Sequence, residues 1–126
     1  MKSSVVKLLF VFSILFFAKN NTQAQSATLE VIQFHSEHRC VTCLEIEKLT
    51  KEVLKTNQNI PFKLVNLDDK KNEKIAESFE ATGTALFLYD TKTGKKKDLT
   101  SFAFMNAMGE KAKFKSGLTK EIKAFK

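Results

Sequence analysis

Between Thr28 and Leu99 the apolar pattern switches repeatedly between two periods, and this alternation restricts the fold more than any other feature. TLEVIQF (28–34) alternates, with Leu29, Val31 and Gln33 on one side and Glu30, Ile32 and Phe34 on the other; this predicts a strand. CLEIEKLTKEVLKTNQ (43–58) follows with Ile46, Leu49, Val53 and Leu54 at helical spacing. Glu47 stands four residues before Lys51, the favourable order for a helical ion pair. After a break at 57–59, IPFKLVNL (60–67) is a second strand, with Pro61 at its start, where no ladder N–H is needed. Asp68 or Asp69 caps a helix over KKNEKIAESFE (70–80), with Ile75, Ala76 and Phe79 facing inward and Gly83 ending the unit. TALFLY (84–89) is almost wholly apolar, as in an interior strand buried on both faces. Residues 90–94 form a hairpin loop, and Lys95 to Leu99 is a return strand whose lysines suit an exposed edge.

The C-terminal stretch is helical in two pieces. Ser101 is the expected cap of the first, which carries Phe102, Phe104, Met105 and Met108. These four read as core residues, with an exposed partner-binding patch as the alternative. The second piece aligns Phe114, Leu118, Ile122 and Phe125, and Gly117 within it costs about 1 kcal/mol relative to alanine. The order is β-α-β-α-β-β-α. It predicts an α/β domain of three layers, with a central mixed four-stranded sheet flanked by helices. The first two β-α-β steps are expected to join parallel neighbours, and the hairpin to add an antiparallel edge.

Ahead of this domain lies MKSSVVKLLFVFSILFFAKNNTQAQS. Lys2 and Lys7 precede an apolar run from Leu8 to Ala18, 11 residues long. That is shorter than the ~20 residues of a membrane-spanning helix. It has the form of a secretory signal, and Thr22-Gln23-Ala24 offers a cleavage site after Ala24. Residues 1–24 are therefore read as a signal peptide and 25–126 as one small domain, periplasmic or secreted, with a retained membrane anchor as the alternative. Lys2, Lys7 and Lys19 fall in the leader, so the formal charge drops from +7 to +4. This mildly basic balance does not point to nucleic acid. A monomer is expected, without stable membrane insertion once the leader is removed.

Export alters the meaning of the only two cysteines, which lie in HSEHRCVTC (35–43). Disulfides persist outside the cytoplasm, but one pair at this spacing is not a disulfide scaffold. Cys40 falls between a strand and a helix, where unpartnered N–H groups and the helix dipole favour an anionic sulfur. Arg39 and a protonated His38 add positive charge. Cys43 is one turn further on, so the two sulfurs can meet: Cys40 attacks a partner disulfide and Cys43 resolves the mixed disulfide. A structural staple is the weaker reading, because so short a loop removes little entropy from the unfolded chain. A metal site on Cys40, Cys43 and His38, with His35 nearby, is a minority reading. Zinc ligand pairs are usually separated by a dozen residues or more, whereas these candidates fall within nine. No cofactor is called for.

Strand-C-x-x-C-helix followed by β-α-β-β-α resembles the thioredoxin-like superfamily over nearly all of 25–126, without the β-α unit that begins the common thioredoxin form. The series FHSEHRCVTC, NLDD, GTALFLYD and DLTSFAFMNAM is similar, more narrowly, to a bacterial exported family of nitrophenyl-compound nitroreductase subunits. The resemblance implies thiol–disulfide exchange with Cys40 as nucleophile. It also implies a protein partner bearing a disulfide or dithiol, within a reductase complex for nitroaromatic or organoarsenical compounds. Thr84 occupies the place of the cis-proline of thioredoxins, where its backbone would receive an extended partner chain. Val41 and Thr42 replace the usual residues between the cysteines, and Arg39 replaces the aromatic before them. Gln33 stands where many thioredoxins bury an acid, and His35 or His38 is a candidate to replace that acid. The alternative function is a non-catalytic accessory subunit on the same fold. It would carry a metal or dock on a partner through residues 99–108, with a structural disulfide.

Overall fold

A computed structural model describes residues 28–57 and 59–125. The leader expected at 1–24 lies outside these residues. Among them no helix is long and apolar enough to cross a membrane.

Four strands, β1 (Leu29–His35), β2 (Phe62–Asn66), β3 (Ala85–Asp90) and β4 (Lys96–Asp98), form one sheet in the order β2-β1-β3-β4. The helices are α1 (Val41–Lys55), α2 (Glu73–Ser78), α3 (Thr100–Ala107) and α4 (Lys111–Phe125). This is the α/β arrangement, a mixed four-stranded sheet flanked by helices, that the alternating pattern predicts. Strand β1 is central because both its faces are apolar. Leu29 and Val31 join the core beneath α1, α3 and α4, with Leu86, Leu88, Leu118 and Ile122. Ile32 and Phe34 pack on the other side with Val65, Phe79 and Phe87. Phe34, Phe79 and Phe87 meet with centroids 5.1–5.9 Å apart, the latter two edge to face, an arrangement that suits the charge distribution of aromatic rings.

The direction of β3 departs from expectation. Strand β1 runs parallel to β2, but β3 lies antiparallel to β1, with Phe34 opposite Ala85 and Leu29 opposite Asp90. The step through α2 therefore does not join parallel neighbours. Alternation of side chains marks which faces of a strand are buried and is the same in either direction, so the pattern carries no sign of polarity.

Three local readings also change. The expected helix over 70–80 begins as a 3₁₀ turn at Lys70–Asn72, with Asp69 accepting the Lys71 N–H, and only Glu73–Ser78 is α-helical. Ser101 does not cap α3; the helix begins at Thr100 with Leu99 at the capping position, and Asp98 Oδ1 accepts the Thr100 N–H at 2.8 Å. Phe104, Met105 and Met108 are exposed rather than core residues, and Met105 is 79% exposed. Ala103 and Ala107, four residues apart on α3, turn inward instead and are fully buried. Their small side chains let this short helix lie close to its neighbours and leave the bulkier ones outside. Phe102 alone of the four packs against the core.

The lysines of the return strand do more than remain in solvent. Lys96 lies 4.5 Å from the centre of the Phe79 ring and Lys95 4.6 Å from that of Phe125, within cation–π range. Lys97 pairs with Glu121.

Candidate functional site

The site grows from the end of β1. His35 O accepts the Leu67 N–H at 2.8 Å, extending the β1–β2 pairing by one bond. The next loop is tied to the same neighbour, since Asp68 Oδ2 accepts the Glu37 N–H at 2.6 Å. Asp68, read as a possible helix cap, thus anchors the approach to the cysteines. Ser36 Oγ donates to His38 O, which tightens the turn.

Cys40 is the N-cap of α1. Its backbone is extended (φ −75°, ψ 164°), and its sulfur accepts the Cys43 N–H at 3.4 Å. The cysteine does here what serine or aspartate does at many helix starts, satisfying a donor that has no partner within the helix. Both cysteines are free thiols; Cys40 is exposed and Cys43 is buried, only 1% accessible. The pair therefore presents one sulfur to solvent and one to the interior.

The buried sulfur has two neighbours. Gln33, fully buried on β1, donates from Nε2 to Cys43 O at 2.9 Å and to Cys43 Sγ at 3.4 Å. Arg39 Nη2 approaches Cys43 Sγ at 3.8 Å. Arg39 is held by Glu47 at 2.5 Å, and Glu47 also pairs with Lys51. Burial works against the Arg39 charge, but the contacts to Cys43 and Glu47 outweigh it and raise the guanidinium's proton affinity. Burial likewise works against the Glu47 anion, yet Lys51 and Arg39 hold its carboxyl below the usual range.

The expected site residues divide into two sets. Cys40, Cys43 and Arg39 come together, although Arg39 reaches the buried sulfur and not the exposed one. His38 is exposed. His35 is half-buried, with Nδ1 at 2.9 Å from Ser36 O. Among the described residues, neither histidine hydrogen-bonds a sulfur, and no three His, Cys, Asp or Glu side chains are grouped to hold a metal ion. Thr84 directly precedes β3, whose Ala85 is opposite Phe34, so it lies beside the strand end from which the cysteine loop leaves. A shallow groove passes Thr84 between Phe79, Phe87, Lys96 and Thr100, and neither cysteine lines it.

The contacts of Gln33 with Cys43 and of Glu47 with Arg39 were not read from the sequence. A polar residue on the inward side of an apolar strand was the available signal for Gln33. For Glu47 it was the spacing of four residues from Cys43, which puts both on one helix face. In the first turn of α1 beyond Cys40, the apolar Val41 is 68% and Leu44 48% exposed. Lys111 at the start of α4 pairs with Glu45 of α1 at 2.8 Å, bringing the α3–α4 turn, with Met108, towards this end of α1.

No family model matches the chain, and no curated protein matches it. Solved structures are similar to it. A malarial protein is 24% identical, with a TM-score of 0.44, over 62% of this chain and 93% of that one. Thioredoxin f2 of Chlamydomonas reinhardtii is 20% identical, with a TM-score of 0.47, over 65% and 77%. A thioredoxin of Fasciola hepatica is 23% identical, with a TM-score of 0.46, over 58% and 66%. By its own topology the domain is an α/β fold with a mixed four-stranded sheet flanked by helices, and a Cys-x-x-Cys sequence stands where β1 passes into α1.

Proposed function

We propose that the protein is an exported thiol–disulfide exchange protein, with Cys40 as nucleophile and Cys43 as resolving thiol. The observation that carries this reading is the division of the pair at the start of α1. Cys40 is open to a partner and receives the Cys43 N–H, while Cys43 waits one turn behind it, shielded from outside thiols. In the reductive direction the Cys40 thiolate attacks a partner disulfide, and one partner sulfur leaves and takes a proton. Cys43 then attacks Cys40 Sγ, closing the 40–43 disulfide and freeing the second partner thiol. Two electrons pass to the partner. Export rests on the Leu8–Ala18 run. A partner reductase for nitroaromatic compounds rests on the resemblance carried by FHSEHRCVTC, NLDD, GTALFLYD and DLTSFAFMNAM.

The test is the midpoint of the pair in glutathione and dithiothreitol buffers, read by mass-tagging free thiols. Exchange proteins fall between roughly −120 and −270 mV, and structural disulfides below about −300 mV. A midpoint in the first range with rapid equilibration is expected. A pair that exchanges only after unfolding would end this reading. The outward Phe104, Met105 and Met108 favour a second one, an accessory subunit docking through α3. It predicts that a double cysteine variant still binds the partner.

A further inference from the structure

We propose that Gln33 and Arg39 are positioning residues that stabilise negative charge on the Cys43 sulfur, so that the oxidised 40–43 pair acts as a disulfide donor to a partner protein's dithiol. The inference rests on the redox reading above and sets its direction opposite to the reductive sequence written there.

The orientation of Gln33 is set by the backbone. Cys43 O can only accept, so the amide nitrogen of Gln33 must face it at 2.9 Å. The second hydrogen of that NH₂ group is then the one directed at Cys43 Sγ, 3.4 Å away. Gln33 Oε1, the group that could accept a thiol proton, is buried without a partner. Arg39 adds a second donor carrying full positive charge. Among the described residues no carboxylate or imidazole hydrogen-bonds either sulfur. The surroundings of Cys43 thus supply hydrogens and no base. Donors of this kind bind an anion more strongly than a neutral group, and a charged donor does so most. They offset the cost of burying a charged sulfur.

This arrangement serves the step in which Cys43 leaves. A partner thiolate attacks the exposed Cys40 Sγ. The Cys40–Cys43 bond breaks, and its electron pair departs on Cys43 Sγ, facing Gln33 and Arg39, with no proton required. The partner's second thiolate then attacks the partner sulfur of the mixed disulfide. The partner's own disulfide forms, and Cys40 is released as a thiolate facing the Cys43 N–H. The partner is oxidised by two electrons, the 40–43 pair is reduced, and the partner's thiol protons pass to solvent. A stabilised leaving thiolate departs faster and makes the disulfide more oxidising. Glu47 acts at one remove, by fixing Arg39 at the sulfur.

The experiment is the exchange equilibrium with glutathione of the chain and of Arg39→Met, Arg39→Lys, Gln33→Leu and Gln33→Glu. The unaltered disulfide is expected to be reduced by glutathione alone. Arg39→Met and Gln33→Leu should each lower the equilibrium constant about tenfold, ~30 mV for a two-electron couple. Gln33→Glu, similar in shape but anionic, should lower it further, and Arg39→Lys should retain most of it. Arg39 is partly exposed, so its variants keep the test open if a Gln33 variant fails to fold. A constant within twofold of the original in Arg39→Met and in every Gln33 variant that folds overturns the positioning roles while leaving the redox reading intact. A pair that only dithiothreitol reduces overturns the direction. A pair that exchanges only on unfolding overturns both readings.

Discussion

The ring of Phe102 occupies the space that a Cβ at Gly117 would need: Cζ lies 2.5 Å and Cε2 2.6 Å from that position. Phe102 belongs to α3, stacks on Phe114 with centroids 5.7 Å apart, and closes one side of the core over α4. By helix propensity alone Gly117→Ala should stabilise by about 1 kcal/mol. Overpacking typically costs ~1–3 kcal/mol. We expect a net loss of roughly 1 kcal/mol, a fall in Tm of about 4–8 °C for a domain of this size. Combining Gly117→Ala with Phe102→Leu should recover part of it. Thermal unfolding followed by circular dichroism decides the sign, and a higher Tm for Gly117→Ala would mean that Phe102 swings clear at little cost.

Glu80, just beyond α2, has φ +53°, and Ala81 N–H returns to Ala76 O at 2.9 Å. This is the left-handed turn that closes many helices, where glycine is preferred because a Cβ crowds the following carbonyl. Glu80→Gly should therefore stabilise, by about 0.5 kcal/mol after the extra freedom of glycine in the unfolded chain is subtracted. Urea unfolding would show the gain as a higher midpoint at unchanged slope, whereas a lower midpoint would count against the strained turn.

The unequal exposure of the sulfurs predicts unequal variants. Cys40→Ser should abolish exchange. Cys43→Ser should leave Cys40 able to attack but not to be released, so that a mixed disulfide with the partner accumulates. Non-reducing electrophoresis and mass spectrometry of the adduct provide the readout. Full activity in Cys40→Ser would remove Cys40 from the mechanism.

Glu47 links the site to acid stability. Burial favours its neutral form, but Lys51 and Arg39 prevail, so its carboxyl titrates below the ordinary 4.5. A depressed folded value means that its contribution is present above the unfolded value and is lost as pH falls through the folded one. Below about pH 4.5 the chain should therefore lose stability more steeply than Glu47→Gln, and at neutral pH the variant should be the less stable of the two. Glu45 through Lys111, Asp69 through Lys71 and Asp90 through the Lys92 N–H are lowered as well. The difference between the two Tm–pH curves isolates Glu47, and parallel curves would deny it this role.

Much of the fold was legible because burial leaves a periodic trace in the chain. The inward faces of β1 and β3, the stripe Ile46-Leu49-Val53-Leu54 and the stripe Phe114-Leu118-Ile122-Phe125 all appear where the spacing predicts them. The helical capping position of Cys40 could likewise be read from the passage of an alternating run into a helical one. The outward turn of Phe104, Met105 and Met108 could not. An eight-residue helix whose apolar residues are spread around its circumference does not declare which face it will bury.

The sequence by itself determined the α/β order, the two faces of each interior strand and a cysteine pair at the mouth of a helix, because these follow from spacing along one chain. Tertiary structure decided the antiparallel course of β3, the inward alanines of α3 and the company of the buried sulfur. Gln33 meets Cys43 across ten residues of chain, and Arg39 bends past Cys40 to join it. Such meetings depend on how α1 docks on β1, and periodicity indicates a face without naming the atom it will touch.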